Sequence, residues 1–159
     1  SGKDRAENLM IVDLLRNDLG KTCIPGSIQV PELYRLESLA NVHHLVSRVT
    51  ARRAPEVSAL AVLAGCFPGG SITGAPKKRA MEIISELEVV PRALYCGSLG
   101  YASASGHLDF NIAIRTLVAT GNELHCWGGG GIVADSVAAD EYRETLAKVG
   151  LLMTTLAAL

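Results

Sequence analysis

The residues best suited to chemistry begin in a glycine-rich loop at positions 67–77, Phe-Pro-Gly-Gly-Ser-Ile-Thr-Gly-Ala-Pro-Lys. Glycine permits positive φ and lets another group approach the backbone closely. Pro76 suits a first helical position, where its missing N–H is no loss. Ala80, Ile83, Ile84 and Leu87 follow at helical spacing. The loop therefore delivers a helix N-terminus, whose free N–H groups and dipole favour an anion. Lys77 and Lys78 oppose that dipole, a placement more natural beside bound negative charge. A connector with a well-made helix start accounts for the same residues without a ligand. A phosphate-cradling P-loop is excluded, because Ala75 and Pro76 stand where Lys and Ser or Thr must follow the last glycine.

Other candidates carry similar pairs of readings. Arg115 interrupts an apolar run, and a buried guanidinium there needs either a protein carboxylate or a ligand carboxylate. Gly128 to Gly131 form an unbroken glycine run that a ligand could approach, but the spacing and the lack of a βαβ continuation exclude a dinucleotide fingerprint. His44 lies in a strand pattern, where a structural role competes with a catalytic one. Asp4 and Glu7 share one helix face, as do Glu141, Glu144 and Lys148. On residue type alone, the first pair complements a helix dipole. The second set makes a solvated stripe with a Glu144–Lys148 ion pair.

The elements that must position these residues give an α+β pattern. Residues 4–18 read as a helix with apolar residues nearly all round, hence mostly buried, stopped by Gly20. Residues 27–36 and 42–50 read as strands, with Pro31 marking an edge or bulge. Residues 57–64 form a short helix before the loop, and the helix after it ends near Glu88. Residues 93–103, 108–120 and 123–127 with Ile132 and Val133 read as three strands of an antiparallel sheet, turning at Gly106-His107 and Gly121-Asn122. Tyr95 falls on a strand face and Arg115 within the second strand. Asp135 or Ser136 can cap a last helix over residues 137–156.

At 159 residues the chain is long enough for one domain with a real core. With 48% hydrophobic residues and a net charge of −1, it has no general attraction to nucleic acid or membrane. No apolar run reaches transmembrane length. Cys23, Cys66, Cys96 and Cys126 are too scattered for a disulfide framework and read as reduced, mostly buried thiols of a cytoplasmic protein. A helix that opens the chain without lead-in suggests a piece of a longer polypeptide.

Taken together, seven words in order resemble the chorismate-utilising enzymes. They are Lys3-Asp-Arg-Ala-Glu-Asn, Val42-His-His-Leu-Val-Ser, the 67–77 loop, Tyr95-Cys-Gly-Ser-Leu-Gly-Tyr, Ile112-Ala-Ile-Arg, Gly128-Gly-Gly-Gly-Ile-Val-Ala-Asp-Ser and Glu141-Tyr-Arg-Glu-Thr. The first and third look most like the aminodeoxychorismate branch, with the anthranilate branch next. The resemblance implies an α+β fold of antiparallel sheets packed with helices, of the anthranilate synthase component I type, here its C-terminal portion. It also implies a Mg²⁺ cofactor held directly by Glu7 and Glu144, with Asp4 and Glu141 nearby. Ser71, Tyr95, Arg115, Gly129, Gly130 and Gly131 would bind chorismate. His44 would lie near the departing hydroxyl, and Lys148 near the ring carboxylate. The implied reaction is amination of chorismate to 4-amino-4-deoxychorismate, with ammonia from a glutamine amidotransferase partner. In that branch a lysine in a Pro-Ile-Lys-Gly-Thr word adds to the ring first; it would lie upstream of residue 1, leaving the isolated segment without its nucleophile.

Overall fold

In the structure, a computed structural model describing residues 2–38 and 43–158, the chain divides into two compact units, Ser1–Glu88 and Val89–Leu159. The first contains helix α1 (Gly2–Gly20), strands β1 (Gln29–Ser38) and β2 (His43–Thr50), helix α2 (Ala59–Cys66), a 3₁₀ turn (Gly70–Ile72) and helix α3 (Lys77–Leu87). Val42, expected to open the second strand, lies outside the described residues. β1 and β2 pair antiparallel, with Glu37 opposite His44 and register shifts between Gln29 and Glu32 and between Glu32 and Arg35. Pro31, which cannot donate to a ladder, occupies the first irregularity. Tyr34, with φ of 60°, occupies the second.

Helix α1 is less buried than its apolar composition suggests. Val12 and Asp18 are its buried residues, and Leu9 remains 44% exposed. Burial of an all-round apolar helix requires neighbours on every side; here α1 packs on β2, α2 and the 3₁₀ turn. Helix α2 starts where Ser58 Oγ accepts the N–H of Ala61 at 3.1 Å, an ordinary N-cap. Pro76 stands one position earlier than expected, as the N-cap of α3, and its carbonyl accepts the N–H of Ala80 at 3.0 Å.

The second unit contains β3 (Ser98–Ala102), β4 (Leu108–Ile112), β5 (Leu117–Thr120), β6 (Glu123–Cys126) and helix α4 (Ala138–Ala157). The expected continuous second strand is broken. β3 pairs with β4 and β5 with β6, as separate two-stranded antiparallel sheets. Ala113 still bonds across, accepting from the Cys96 N–H at 2.8 Å and donating to the Gly97 carbonyl at 2.9 Å, and the cause lies in residues 114–116. Ile114 N–H bonds the Ile112 carbonyl at 2.9 Å, and Thr116 Oγ donates to the Ile114 carbonyl at 3.1 Å. Arg115 takes a φ of 50°. These tight local bonds replace the ladder. The two turns form where expected, with Gly106 and Gly121 at φ of 87° and 60°. The third strand ends at Cys126, so Ile132 and Val133 do not extend it. Cys96, Ala113 and Val149 are the buried apolar residues of this unit. All four cysteines are free; Cys23 and Cys96 are buried, Cys66 and Cys126 half-buried.

The strongest polar tie in the first unit joins α1 to α3. Asp18 is 2% exposed. Its carboxylate accepts from Lys77 Nζ at 2.5 Å and from Lys21 Nζ at 2.9 Å. Burial pushes the Asp18 carboxyl pKa up, but hydrogen bonds and charge from Lys77 and Lys21 outweigh it and hold the group below its ordinary value. Burial, reinforced by the Asp18 charge, raises the Cys66 thiol. Because the folded pKa of Asp18 is depressed, its stabilisation is complete above about pH 4 and is lost as pH falls through the folded value. Asp18→Asn should cost about 3 kcal/mol in urea unfolding near neutrality, with a gap from wild type that narrows on acidification. A gap that stays constant down to about pH 3 would refute the linkage.

Candidate functional site

Helix α4 presents Glu141, Glu144 and Lys148 on one face, as the i, i+3, i+7 spacing requires. Glu141 is buried, at 8% exposure. Ser136 Oγ donates to Glu141 Oε1 at 2.5 Å while accepting the N–H of Val133 at 3.0 Å. Ser136 therefore does not cap α4, as the sequence suggested. Val137 holds the cap position without a side-chain bond, because the hydroxyl is committed to the carboxylate. Lys148 Nζ lies 2.7 Å from Glu144 Oε1 and also donates to the Gly129 carbonyl at 3.2 Å. The expected Glu144–Lys148 ion pair is thus present and tied to the glycine run.

Absence of side chains lets this run pass between two walls. A Cβ at Gly128 would lie 2.8 Å from Val149 Cγ1, and one at Gly129 would lie 2.7 Å from the Tyr95 hydroxyl. A Cβ at Gly130 would be 3.5 Å from Lys148 Nζ, 3.6 Å from Glu141 Oε2 and 3.7 Å from Glu144 Oε1. Three charged groups therefore converge on one backbone position. Gly131 continues the run as exposed, irregular backbone. Tyr95 comes not from a strand but from a turn in which Ala93 and Cys96 have φ of 51° and 65°. The Arg92 guanidinium stands 5.9 Å from the centre of its ring.

Arg115 departs from expectation. It is exposed, in the break between β4 and β5, and forms no ion pair among the described residues. With no carboxylate across from it, its charge is kept in water.

In the first unit, Asp4 is exposed and Glu7 half-buried on α1, His44 is exposed on β2, and Ser71 is exposed in the 3₁₀ turn. The loop bearing Ser71 is held by its own contacts. A Cβ at Gly70 would strike Leu14 Cδ1 at 2.8 Å, and Thr73 Oγ donates to the Gly69 carbonyl at 2.9 Å. The anion that Lys77 meets is Asp18, a protein carboxylate. Within each unit, among the described residues, no group of three or more His, Cys, Asp or Glu side chains gathers at metal-binding spacing.

Residues 1–154 match the family of chorismate binding enzymes. The chain belongs to that family. Among its relatives, aminodeoxychorismate synthase component 1 of Salmonella typhimurium is 57% identical over 96% of this chain and 34% of its own. The Escherichia coli protein of the same name is 54% identical over 98% and 34%. Anthranilate synthase component I from Streptococcus pneumoniae superposes with a TM-score of 0.88 at 43% identity, over 94% of this chain and 34% of that one. A putative 2,3-dihydroxybenzoate-specific isochorismate synthase from Bacillus anthracis gives 0.86 at 28%, over 99% and 42%. The chain thus spans about a third of the length of the curated relatives it matches, and its α+β fold is that of the family. Among the described residues no single helix is long and apolar enough to cross a membrane.

Sequence reasoning missed Ser136 as the partner of Glu141 and Asp18 as the partner of Lys77. The second had a signal, since lysines at a helix N-terminus ask for a nearby anion. The first had none, because a Ser before a helix reads as a cap. The glycines separate into two kinds. Gly128→Ala forces overlap with Val149 and should lose about 1–3 kcal/mol. Gly130→Ala meets only ordinary contacts and should leave the melting temperature unchanged. Equal loss of melting temperature in both variants would disprove this division.

Proposed function

We propose that this chain is the chorismate-binding catalytic segment, the C-terminal part of the domain, of a cytoplasmic aminodeoxychorismate synthase component I. The convergence of Glu141, Glu144 and Lys148 on Gly130 carries the reading, in a sequence 54–58% identical to relatives of that name. The carboxylates of Glu141 and Glu144 are the kind of donor that suits Mg²⁺, a hard cation that takes carboxylate oxygens and keeps several waters. Glu144 and Glu7 would hold it, with Asp4 and Glu141 nearby; when bound, it withdraws charge through the ring carboxylate of chorismate.

The chain's own residues bind and orient the substrate, while the lysine that adds to the ring first in this branch would lie upstream of residue 1. Lys148 offers its ammonium to the ring carboxylate. Tyr95 offers a hydroxyl, and the exposed Arg115 a two-pronged fork, to the enolpyruvyl carboxylate. Gly129, Gly130 and Gly131 let the substrate approach the backbone, and Ser71 supplies a further hydroxyl. His44 protonates the departing ring hydroxyl. One C–O bond breaks, one C–N bond forms to ammonia, and water leaves, giving 4-amino-4-deoxychorismate for para-aminobenzoate and folate synthesis. Ammonia comes from a glutamine amidotransferase subunit, in keeping with relatives named component 1.

The test is product analysis with the full-length protein, chorismate, ammonium and Mg²⁺. Aminodeoxychorismate is expected. The 43% identity to an anthranilate synthase component I favours anthranilate as a second reading, and its appearance with released pyruvate would select that branch. No product would end the enzymatic proposal. Glu144→Gln should lose at least tenfold in activity and weaken Mg²⁺ dependence together, and an unchanged metal titration would remove Glu144 as a ligand. Arg115→Lys should raise KM through loss of the fork; an unaltered KM would remove Arg115 from the substrate site.

A further inference from the structure

Next to Glu7 on α1, Asn8 closes a hydrogen-bond chain between α1 and the β1–β2 hairpin. Asn8 Nδ2 donates to the Leu45 carbonyl at 3.0 Å. Asn8 Oδ1 accepts from Ser47 Oγ at 2.5 Å, and Ser47 Oγ in turn accepts the Tyr34 N–H at 3.0 Å. The two ends of this chain are backbone groups with fixed polarity, a donor at Tyr34 and an acceptor at Leu45. Only a hydroxyl followed by a carboxamide satisfies both. An aspartate at position 8 could not donate to Leu45, and an alanine at position 47 would strand the Tyr34 N–H that the bulge frees from the ladder. Three residues along α1 from Asn8, the Arg5 guanidinium stands 5.9 Å from the Tyr34 ring centre. The helix is therefore held against rotation about its axis at two points on the hairpin.

We infer that Asn8 and Ser47 are positioning residues, which fix the rotation of α1 and so the direction of Glu7 relative to His44 on β2. Successive helical residues are about 100° apart, so fixing Asn8 toward β2 fixes Glu7 on the adjacent side. Leu45, the residue Asn8 grips, directly follows His44. One short network thus holds a proposed metal ligand and a proposed proton donor in a single frame. The inference rests on the metal role of Glu7 proposed above.

The experiment uses the full-length protein with chorismate and Mn²⁺ in place of Mg²⁺, counting free Mn²⁺ by electron paramagnetic resonance alongside the melting temperature. Asn8→Ala, Asn8→Asp and Ser47→Ala should each weaken Mn²⁺ binding about tenfold, as loss of partners behind a metal ligand does. Ser47→Thr, which keeps the hydroxyl, should bind as wild type. Asn8→Ala combined with Ser47→Ala should be no worse than either alone, because both break the same chain. Variants that lose melting temperature while retaining wild-type Mn²⁺ affinity would reduce the network to a structural one and overturn the inference alone. Absence of Mn²⁺ binding by wild type would overturn the metal reading itself, and the inference with it.

Discussion

Charge taken out of water must be matched at once, and in the first unit that requirement falls on Asp18. Its carboxylate is almost wholly enclosed and accepts from Lys77, 59 residues away, as well as from Lys21. A buried ion without its partner costs several kcal/mol, so the end of α1 and the start of α3 are held together. The 67–76 loop, which joins α2 to α3, leads into that tie and is gripped further by Leu14 against Gly70. Glycine gives that loop freedom, and the ion pair takes it back. Ser71 is presented, exposed, from a turn whose exit is anchored.

The second unit meets the same requirement with a different arrangement. Glu141 is buried against a serine hydroxyl, and Glu144 is paired with Lys148. Both carboxylates face a backbone that has no side chains to place between them. Proximity is achieved by subtraction. Gly128 and Gly129 admit Val149 and the Tyr95 hydroxyl into space that any Cβ would fill, and Gly130 is left open toward the charges. The role of α4 is therefore set as much by the run that crosses it as by its own residues.

How much of this was legible depended on whether a feature is local. Hairpin turns at Gly106 and Gly121, the face shared by Glu141, Glu144 and Lys148, and the Pro31 bulge follow from spacing and backbone chemistry, and they were read correctly. Arg115 was misread because an apolar neighbourhood in sequence implied burial in space. The chain instead turns on itself at residues 114–116, and the guanidinium stays in water. Burial of α1 was overestimated for a related reason. Burial belongs to the neighbours of a helix, and a composition cannot say which of its sides receive them. The Asn8–Ser47–Tyr34 chain was invisible because it joins three segments through a freed N–H that exists only once the bulge has formed.

Lys148 shows how Glu144, the ligand proposed on α4, can be paired with an ammonium and yet serve a divalent cation. In the structure its charge offsets Glu144 at 2.7 Å, partly exposed to water on both sides. Exposed pairs of this kind contribute about 0–1 kcal/mol, so separating them costs little. On the proposed function the separation is also compensated. Glu144 would then be free to hold a cation, and Lys148, still donating to the Gly129 carbonyl, would offer its ammonium to the ring carboxylate of the substrate. Glu141 differs in its enclosure and in the hydrogen bond it accepts from Ser136. The two carboxylates of this face are thus held differently, Glu144 toward water and Glu141 away from it.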